Sequence, residues 1–137
     1  MLVCSKLIIF EEKYNMKIEV SIGEVLDKLS ILSIKLSKIE DQEKLRNVAK
    51  EMSTLSKVVP KHMLQDELYT KLCGVNMRLW QIEDDIRECE RYGEFDDGFL
   101  GLARSVYQTN DERAAIKKEI NLKYGSEIIE EKSYSSY

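Results

Sequence analysis

The amino-acid sequence predicts an all-α protein: an antiparallel bundle of about four helices with left-handed, heptad-like packing. Apolar residues recur at alternating spacings of three and four in several separate segments, and this spacing places them on one side of a helix. The 137 residues include one proline and six glycines, and 34% of them are charged. That composition is typical of a helix-rich globular domain. Short joints favour antiparallel neighbours, and seven-residue repeats imply a left-handed supercoil.

The first two predicted helices lie between residues 22 and 59. Ser21–Glu24 has the form of a capping box, Ser-Ile-Gly-Glu, which marks a helix start. Each helix then carries one apolar seam: Ile22, Val25, Leu29, Leu32, Leu36 and Ile39 in the first, and Leu45, Val48, Met52, Leu55 and Val59 in the second. The second seam is out of phase with the first, and Asp41 can cap a new helix. We therefore predict a break at Asp41–Gln42, with a single bent helix from Ile22 to Val59 as the alternative.

Helices three and four are predicted to be the longest elements and to form a hairpin. Helix three runs from about Met63 to Arg91 and is closed by Tyr92-Gly93. A cap at Asp96 or Asp97 begins helix four, which runs to about Lys123. A mostly polar line on helix three meets a seam on helix four that is polar only in its middle. The line on helix three consists of Asn76, Trp80, Glu83, Arg87 and Glu90. The seam on helix four consists of Phe99, Ala103, Val106, Asn110, Arg113, Lys117, Ile120 and Tyr124. The far ends of this hairpin either project from the bundle or are covered by a second copy of the chain.

These elements give one bundle domain, residues 16–125, between two short flanking segments. Residues 1–15 have the pattern of a mobile or weakly packed extension, although the apolar run Leu7–Phe10 also suits an edge strand or a flap over the bundle. Residues 126–137 are predicted to form a short turn followed by a polar tail. The first residues lack the basic start, long apolar region and small-residue cleavage site of a secretory signal.

Charge and cysteine usage disfavour several classes of partner and cofactor. The 21 basic and 25 acidic residues give a net charge of −4 and are interspersed, which argues against nucleic acid. No apolar run approaches the roughly 20 residues of a membrane helix, so we expect no membrane partner. Cys4, Cys73 and Cys89 have no paired spacing, and with a single histidine they disfavour a zinc site and favour a reduced, cytoplasmic setting. We expect neither metal nor cofactor.

The first candidate site is the polar middle of the contact between helices three and four. Its predicted ligand-binding residues are Trp80, Glu83, Asp84, Arg87, Arg104, Asn110, Asp111, Arg113 and Lys117. The favoured interpretation is an internal salt-bridge network in which Glu83 or Asp84 pairs with Arg113, because an unpaired buried charge costs several kcal/mol. The alternative is a pocket in which Arg87, Arg113 and Lys117 bind phosphate or carboxylate. Trp80 lies one step off the apolar seam of helix three, where a tryptophan is more often a core or interface anchor. That seam consists of Leu72, Val75, Leu79, Ile82, Ile86 and Cys89.

A second candidate site is acidic. All-helical nucleotide pyrophosphatases hold magnesium with acidic pairs spaced by three residues on facing helices. Four pairs here have that spacing: Glu24 with Asp27, Glu40 with Glu43, Asp85 with Glu88, and Glu127 with Glu130. Because 25 acidic residues would produce several such pairs by chance, and magnesium needs converging oxygens, the metal interpretation is disfavoured.

Four stretches together indicate a family relationship: Ile22–Leu29, Leu79–Arg87, Leu102–Tyr107 with the nearby Asn110, Asp111, Arg113 and Ala114, and Gly125–Tyr134. On these stretches the chain from Ile18 to Tyr134 resembles a family of small helical proteins of unknown function from bacteria and some phages. The resemblance implies an all-helical, cytoplasmic protein, and proteins of this kind occur near glycosyltransferase and surface-polysaccharide genes. It implies no activity and no catalytic residues.

The predicted function is an interaction or accessory module, a small bundle that binds another protein or itself. The alternative is a small-molecule binder or enzyme that acts on an anionic ligand between helices three and four. No Ser-His-Asp or Cys-His arrangement and no glycine-rich phosphate loop is present in the sequence, so whether the protein is an enzyme is left open.

Overall fold

The computed structural model describes residues 13–137, which form five helices and no strand. In chain order the helices are α1 (Ile22–Lys38), α2 (Gln42–Ser56), α3 (Lys61–Leu64), α4 (Glu67–Tyr92) and α5 (Asp97–Lys123). The all-α class is therefore confirmed. The edge strand or flap suggested for Leu7–Phe10 lies outside the described residues. No helix in residues 13–137 is both long and apolar enough to cross a membrane.

A side-chain cap begins each of the first two helices. The Ser21 hydroxyl accepts a hydrogen bond from the Glu24 amide at 3.1 Å, and Asp41 Oδ1 accepts one from the Lys44 amide at 2.8 Å. Between the two helices, Ile39 has an extended backbone that no helix can continue through. The predicted break is thus confirmed, and the alternative of one bent helix is wrong.

The start of the long helix α4 differs from the prediction. It begins at Glu67 rather than near Met63, because Asp66 Oδ1 accepts a hydrogen bond from the Leu68 amide at 2.8 Å and caps the helix there. The preceding turn, α3, is a separate helix of four residues. Met63 and Leu64 pack against the core as α4 does, so their apolar spacing alone made the two helices look continuous.

A tight turn joins α4 to α5 as the sequence predicted. Gly93 adopts a left-handed backbone with φ of 65°, which glycine tolerates and most residues do not. The Asp96 carboxylate then accepts hydrogen bonds from the Gly98 and Phe99 amides at 3.0 and 3.2 Å. The predicted long hairpin is therefore present, formed by α4 and α5.

Helix α1 packs against both helices of this hairpin, and α2 packs against α1. The core is a cluster of six buried apolar residues from three helices: Leu26, Leu68, Leu72, Val75, Ile116 and Ile120. Gly23 meets Asn121 and Asp27 meets Arg113, so α1 runs antiparallel to α5. These contacts confirm a helical bundle.

The buried surface of α1 differs from the single apolar seam that the heptad spacing predicted. Leu36, a member of that seam, is 40% exposed. Leu29 and Leu32 of the predicted seam are buried. A second buried side of α1 carries Gly23, Leu26, Asp27, Ser30 and Ile34, and it meets the hairpin through Asp27 and Ser30. Because three of those five residues are not apolar, a search for hydrophobic periodicity did not find this side of the helix.

Gly23 marks a close approach between α1 and α5. Its amide donates a hydrogen bond to Asn121 Oδ1 at 2.6 Å. A Cβ atom at position 23 would lie 2.6 Å from the carbonyl oxygen of Lys117. A backbone oxygen cannot rotate aside as a flexible side chain can, so any larger residue would push the two helices apart.

We predict that Gly23→Ala lowers the free energy of unfolding by about 1–3 kcal/mol, the usual cost of forcing atoms into a packed contact. Gly74→Ala is the matched control, because a Cβ atom there meets nothing within 4 Å. Alanine favours the helix, so this control should gain about 0.5–1 kcal/mol. Denaturant unfolding measures both variants, and changes of the same sign would contradict the close contact at Gly23.

A second polar contact ties the start of α4 to the end of α5. The Asp66 carboxylate accepts hydrogen bonds from Lys123 Nζ and from the Tyr124 hydroxyl. These two bonds, with the bond from the Leu68 amide, hold the pKa of Asp66 well below its usual value of 3.8. The same contact raises the pKa of Lys123 and of Tyr124.

This contact should make stability depend on pH in the acid range. Because the pKa of Asp66 is lowered by folding, its contribution is fully present above about pH 4 and is lost as the pH falls below that value. Asp66→Asn keeps an oxygen for the helix cap but removes the charge. We expect the wild type to be more stable than Asp66→Asn near neutral pH and the difference to shrink below about pH 4. Urea unfolding across this range tests it, and a difference that stays constant would refute the charge contribution.

Candidate functional site

The polar residues of α1 form the first half of the site. Because the helix begins at a cap and repeats every 3.6 residues, Glu24, Asp27 and Ser30 lie on the side that contacts the hairpin. Asp27 and Ser30 are completely or almost completely buried, at 1% and 0% exposure. A carboxylate in that position needs a cation and further hydrogen bonds, and α4 and α5 supply them.

Asp27 lies at the centre of a buried hydrogen-bond network. The guanidinium of Arg113 donates to both of its carboxylate oxygens, with Nε at 2.9 Å from Oδ1. The Asn76 side-chain amide donates to Oδ1 at 2.8 Å and to the Ser30 hydroxyl at 2.7 Å. The hydrogen bond to Asp27 raises the pKa of Arg113, so the guanidinium stays charged. The three helices that form the core cluster each contribute to this network: α1, α4 and α5.

Lys117 makes a second contact between α1 and α5. Its Nζ donates to Glu24 Oε2 at 2.7 Å and to Glu130 Oε2 at 3.0 Å. Burial opposes the charge of Lys117, yet the bonds to Glu24 and Glu130 outweigh it and raise the pKa. The hydrogen bond from Lys117 in turn lowers the pKa of Glu130. In a complete capping box the Glu24 carboxylate would accept a hydrogen bond from the Ser21 amide. Here it accepts one from Lys117.

The C-terminal tail lies along α5 and completes this contact. Residues 126–137 contain no helical turn. Beyond Glu130, the Glu131 carboxylate pairs with Lys118 at 3.0 Å, and the Tyr137 hydroxyl donates to Asp111 at 2.8 Å. The tail therefore runs beside the same helix whose inner side carries Arg113.

The partner predicted for Arg113 was wrong. We expected Glu83 or Asp84 from helix three, but the carboxylate is Asp27 from α1. The charged contact at the centre of the molecule consequently joins α1 to α5 rather than α4 to α5. The internal network favoured by the sequence is present, with a different acidic residue.

A cleft of about 520 Å³ opens beside this network, between α1, α4 and α5. Six of the nine predicted site residues line it: Trp80, Glu83, Asp84, Arg87, Asn110 and Arg113. Ile31 from α1 and Asn76 and Leu79 from α4 complete the lining. These six residues lie together at one surface depression, and their role in ligand binding stays a prediction.

Three predicted residues lie away from the cleft. Lys117 is held by Glu24 and Glu130, one turn along α5 from Arg113. Asp111 faces the C-terminal tail, where it accepts the hydrogen bond from Tyr137. Arg104 is exposed on α5 and is not among the residues that line the cleft.

The cations of the cleft are already paired with acids of the protein itself. Arg113 binds Asp27, and the Arg87 guanidinium binds the Glu83 carboxylate one turn earlier on α4. A pocket for phosphate or carboxylate would need these charges to be free. The geometry therefore gives no support to the predicted cationic pocket.

The acidic pairs give no sign of a metal site either. Glu24 and Asp27 bind Lys117 and Arg113, so their oxygens are directed at cations of the chain. Within residues 13–137, no three His, Cys, Asp or Glu side chains are grouped so that they could hold a metal ion.

Sequence reasoning missed the central role of Asp27 and its contacts with Asn76 and Ser30. The sequence places Asn76 on the polar line of helix three, and Ser30 belongs to no predicted seam. Asp27 appeared only within an acidic pair and within the stretch Ile22–Leu29. That stretch was the available signal, because it contains the glycine, the glutamate and the aspartate that contact α5.

The fold and the site together define a small all-helical bundle protein with a buried ionic network and an adjoining cleft. The chain belongs to a family of unknown function, DUF6165, whose model matches residues 16–137. No curated protein and no solved structure matches the chain. The resemblance noted in the sequence to an uncharacterised helical family is thereby confirmed.

The network predicts that alanine substitutions of two arginines differ widely in their effect on the free energy of unfolding. Arg113→Ala leaves the Asp27 carboxylate, whose side chain is 2% exposed, without its main cation. We expect a loss of about 3 kcal/mol in the free energy of unfolding, the lower end for a broken buried pair because Lys117 lies 4.0 Å from Asp27. Arg87→Ala, which breaks an exposed pair on a single helix, should cost under about 1 kcal/mol.

Denaturant unfolding of both variants decides whether the network is as described. The double variant Arg113→Met with Asp27→Asn removes both charges, while the new amide oxygen can still accept from Asn76. It should recover much of the stability that Arg113→Ala loses. Equal, mild losses for the two single variants would mean that Asp27 is not a buried charge.

Proposed function

We propose that the protein is a protein-interaction module that binds its partner through the far half of the α4–α5 hairpin. This half, residues 77–108, is called the arm below. One observation carries the proposal: no residue from 77 to 108 is buried. The other half of the hairpin carries the buried residues of both helices, and its Asn76 and Arg113 side chains contact Asp27 of α1.

The arm carries the spacing of a buried seam without the burial. In the other half of the hairpin, four residues of each helix are buried: Leu68, Leu72, Val75 and Asn76 in α4, and Thr109, Ile116, Ile120 and Asn121 in α5. Within the arm, Leu79, Ile82, Ile86 and Val106 are only half-buried. Two helices cannot cover both sides of a shared seam, so a third element is needed to exclude water from it.

The end of the arm exposes large apolar side chains. Tyr92, Phe95 and Leu100 are 65%, 59% and 57% exposed. The exposed ring of Phe95 meets the half-buried ring of Phe99 edge to face, with the ring centroids 5.2 Å apart. Exposed aromatic residues on a preformed scaffold are typical of the anchors of protein interfaces.

The charge of the arm supports a basic partner. The chain has a net charge of −4, and all of it lies in residues 77–108, which contain eight acidic and four basic residues. A second copy of the chain would bring two acidic arms together, and like charges oppose that contact. A basic amphipathic helix would cover the apolar seam and place its positive charges beside the acidic rim.

We further propose that this interaction takes place in the cytoplasm. Cys73 and Cys89 are both free thiols, and burial raises the pKa of each. Free cysteines are usual where the surroundings are reducing. The family resemblance implies a link to glycosyltransferase and surface-polysaccharide genes, so basic proteins of such systems are the first partners to test.

The experiment uses a synthetic amphipathic peptide with leucine on one side and lysine and arginine on the other. We expect it to bind the full chain, as measured by calorimetry, and to bind more weakly as salt is added. A peptide of equal length with glutamate in place of the basic residues should not bind. Leu100→Ser should weaken binding about tenfold or more, since it removes a leucine contact in the arm.

Leu122→Ser is the matched control, because Leu122 is similarly exposed at 63% but lies at the other end of α5. The affinity of the Leu122→Ser variant for the basic peptide should stay within about twofold of that of the wild type. Equal weakening by both substitutions, or binding of the acidic peptide, would refute a basic partner on the arm. Light scattering adds one outcome: a dimer at tens of micromolar that Leu100→Ser abolishes would mean that a second copy covers the arm.

A further inference from the structure

The cleft at the base of the arm has an unusual balance of charge. Arg113 is directed at Asp27 through two hydrogen bonds. The guanidinium of Arg87 bonds to the Glu83 carboxylate and, at 3.0 Å, to the Glu83 carbonyl oxygen. Each cation on the cleft wall is therefore neutralised by an acid of the chain.

Among the described residues that line the cleft, Asp84 is the one charged residue outside these two ion pairs. Within residues 13–137, no cation and no hydrogen-bond donor contacts its carboxylate. It is exposed on α4 and lines the cleft together with Trp80. With the two pairs neutral, the cleft retains a single negative charge and favours a cation over an anion.

Trp80 places an aromatic surface next to this charge. Asp84 follows Trp80 by four residues in one helix, so both side chains lie on the same side of α4, one turn apart. Trp80 is half-buried and forms part of the cleft wall. The indole ring is the strongest aromatic partner for a cation, and a nearby carboxylate strengthens the attraction.

Asn110 faces these two residues from α5. It is half-buried, and none of residues 13–137 makes a hydrogen bond to its side-chain amide. Its amide oxygen can accept a hydrogen bond from a guanidinium or ammonium group. The volume of about 520 Å³ is ample for the end of an arginine or lysine side chain.

We infer that the cleft between α1, α4 and α5 binds a cationic side chain, an arginine or a lysine, between Trp80 and Asp84 with Asn110 opposite. The side chain would come from the basic partner of the arm, so the source of the cation rests on the proposed function. The preference of the cleft for a cation does not depend on that partner and can be tested alone.

The test uses Trp80 as a reporter, because it is the single tryptophan of the chain. Arginine amide is titrated into the full-length protein while tryptophan fluorescence is recorded. Citrulline amide is the matched ligand, since its side chain has nearly the same shape without the charge. We expect a saturable change with arginine amide and none with citrulline amide.

Two neighbouring substitutions show whether Asp84 is responsible. Asp84→Asn should weaken the binding of arginine amide about fivefold, the upper range for an exposed charge pair. Asp85→Asn removes a charge from the next residue, which accepts a hydrogen bond from Gln81 and does not line the cleft. The affinity of this control should stay unchanged.

Three results would overturn the inference: an equal response to citrulline amide, equal weakening by Asp84→Asn and Asp85→Asn, or a response to inorganic phosphate that competes with arginine amide. The last would show that Arg87 and Arg113 are available to anions. These failures are separable from failure of the proposed function, because the basic peptide can still bind the arm and respond to Leu100→Ser when the cleft takes no cation.

Discussion

The buried carboxylate of Asp27 imposes the constraint on which the arrangement of the helices depends. A charge with almost no access to water must be met by a cation and hydrogen-bond donors in fixed positions. Arg113 and Asn76 meet it from two different helices. A shift of α1 by one residue would turn Asp27 by about 100° around the helix axis and away from both partners. The network therefore admits one register of α1 against the hairpin, whereas an apolar contact would tolerate several.

The contacts near this network also fix the register of α1 against the hairpin, in this case through steric fit. Gly23 lets the backbone of α1 approach that of α5, and the approach brings Glu24 within reach of Lys117. These are neighbouring residues of one short stretch, so steric fit and charge pairing act at successive turns of the same helix. The far half of the hairpin has no such contacts from α1, which is why its apolar residues stay within reach of water.

The helices themselves could be predicted from the sequence because caps and apolar spacing are local properties. The break at Asp41 and the glycine turn at Gly93 both followed from neighbouring residues. The boundary at Glu67 was missed although Asp66 is a local cap, since Met63 and Leu64 continue the apolar spacing across it. Four residues of the cleft, Trp80, Glu83, Asp84 and Arg87, could be grouped in advance because they lie on successive turns of α4. The identity of the partner of Arg113 could not be predicted, because it depends on how α1 packs across the hairpin, and no local pattern specifies that.

The net negative charge of the chain falls within one half of the hairpin. Residues 77–108 contain eight acidic and four basic residues, whereas the other described residues contain 15 acidic and 16 basic ones. In the field of a positively charged surface, such a molecule turns so that its acidic end leads. Rotational search before contact is shortened, and the rate of encounter rises most at low ionic strength. Orientation at long range is thus a property of the chain itself, set before any side chain touches another protein.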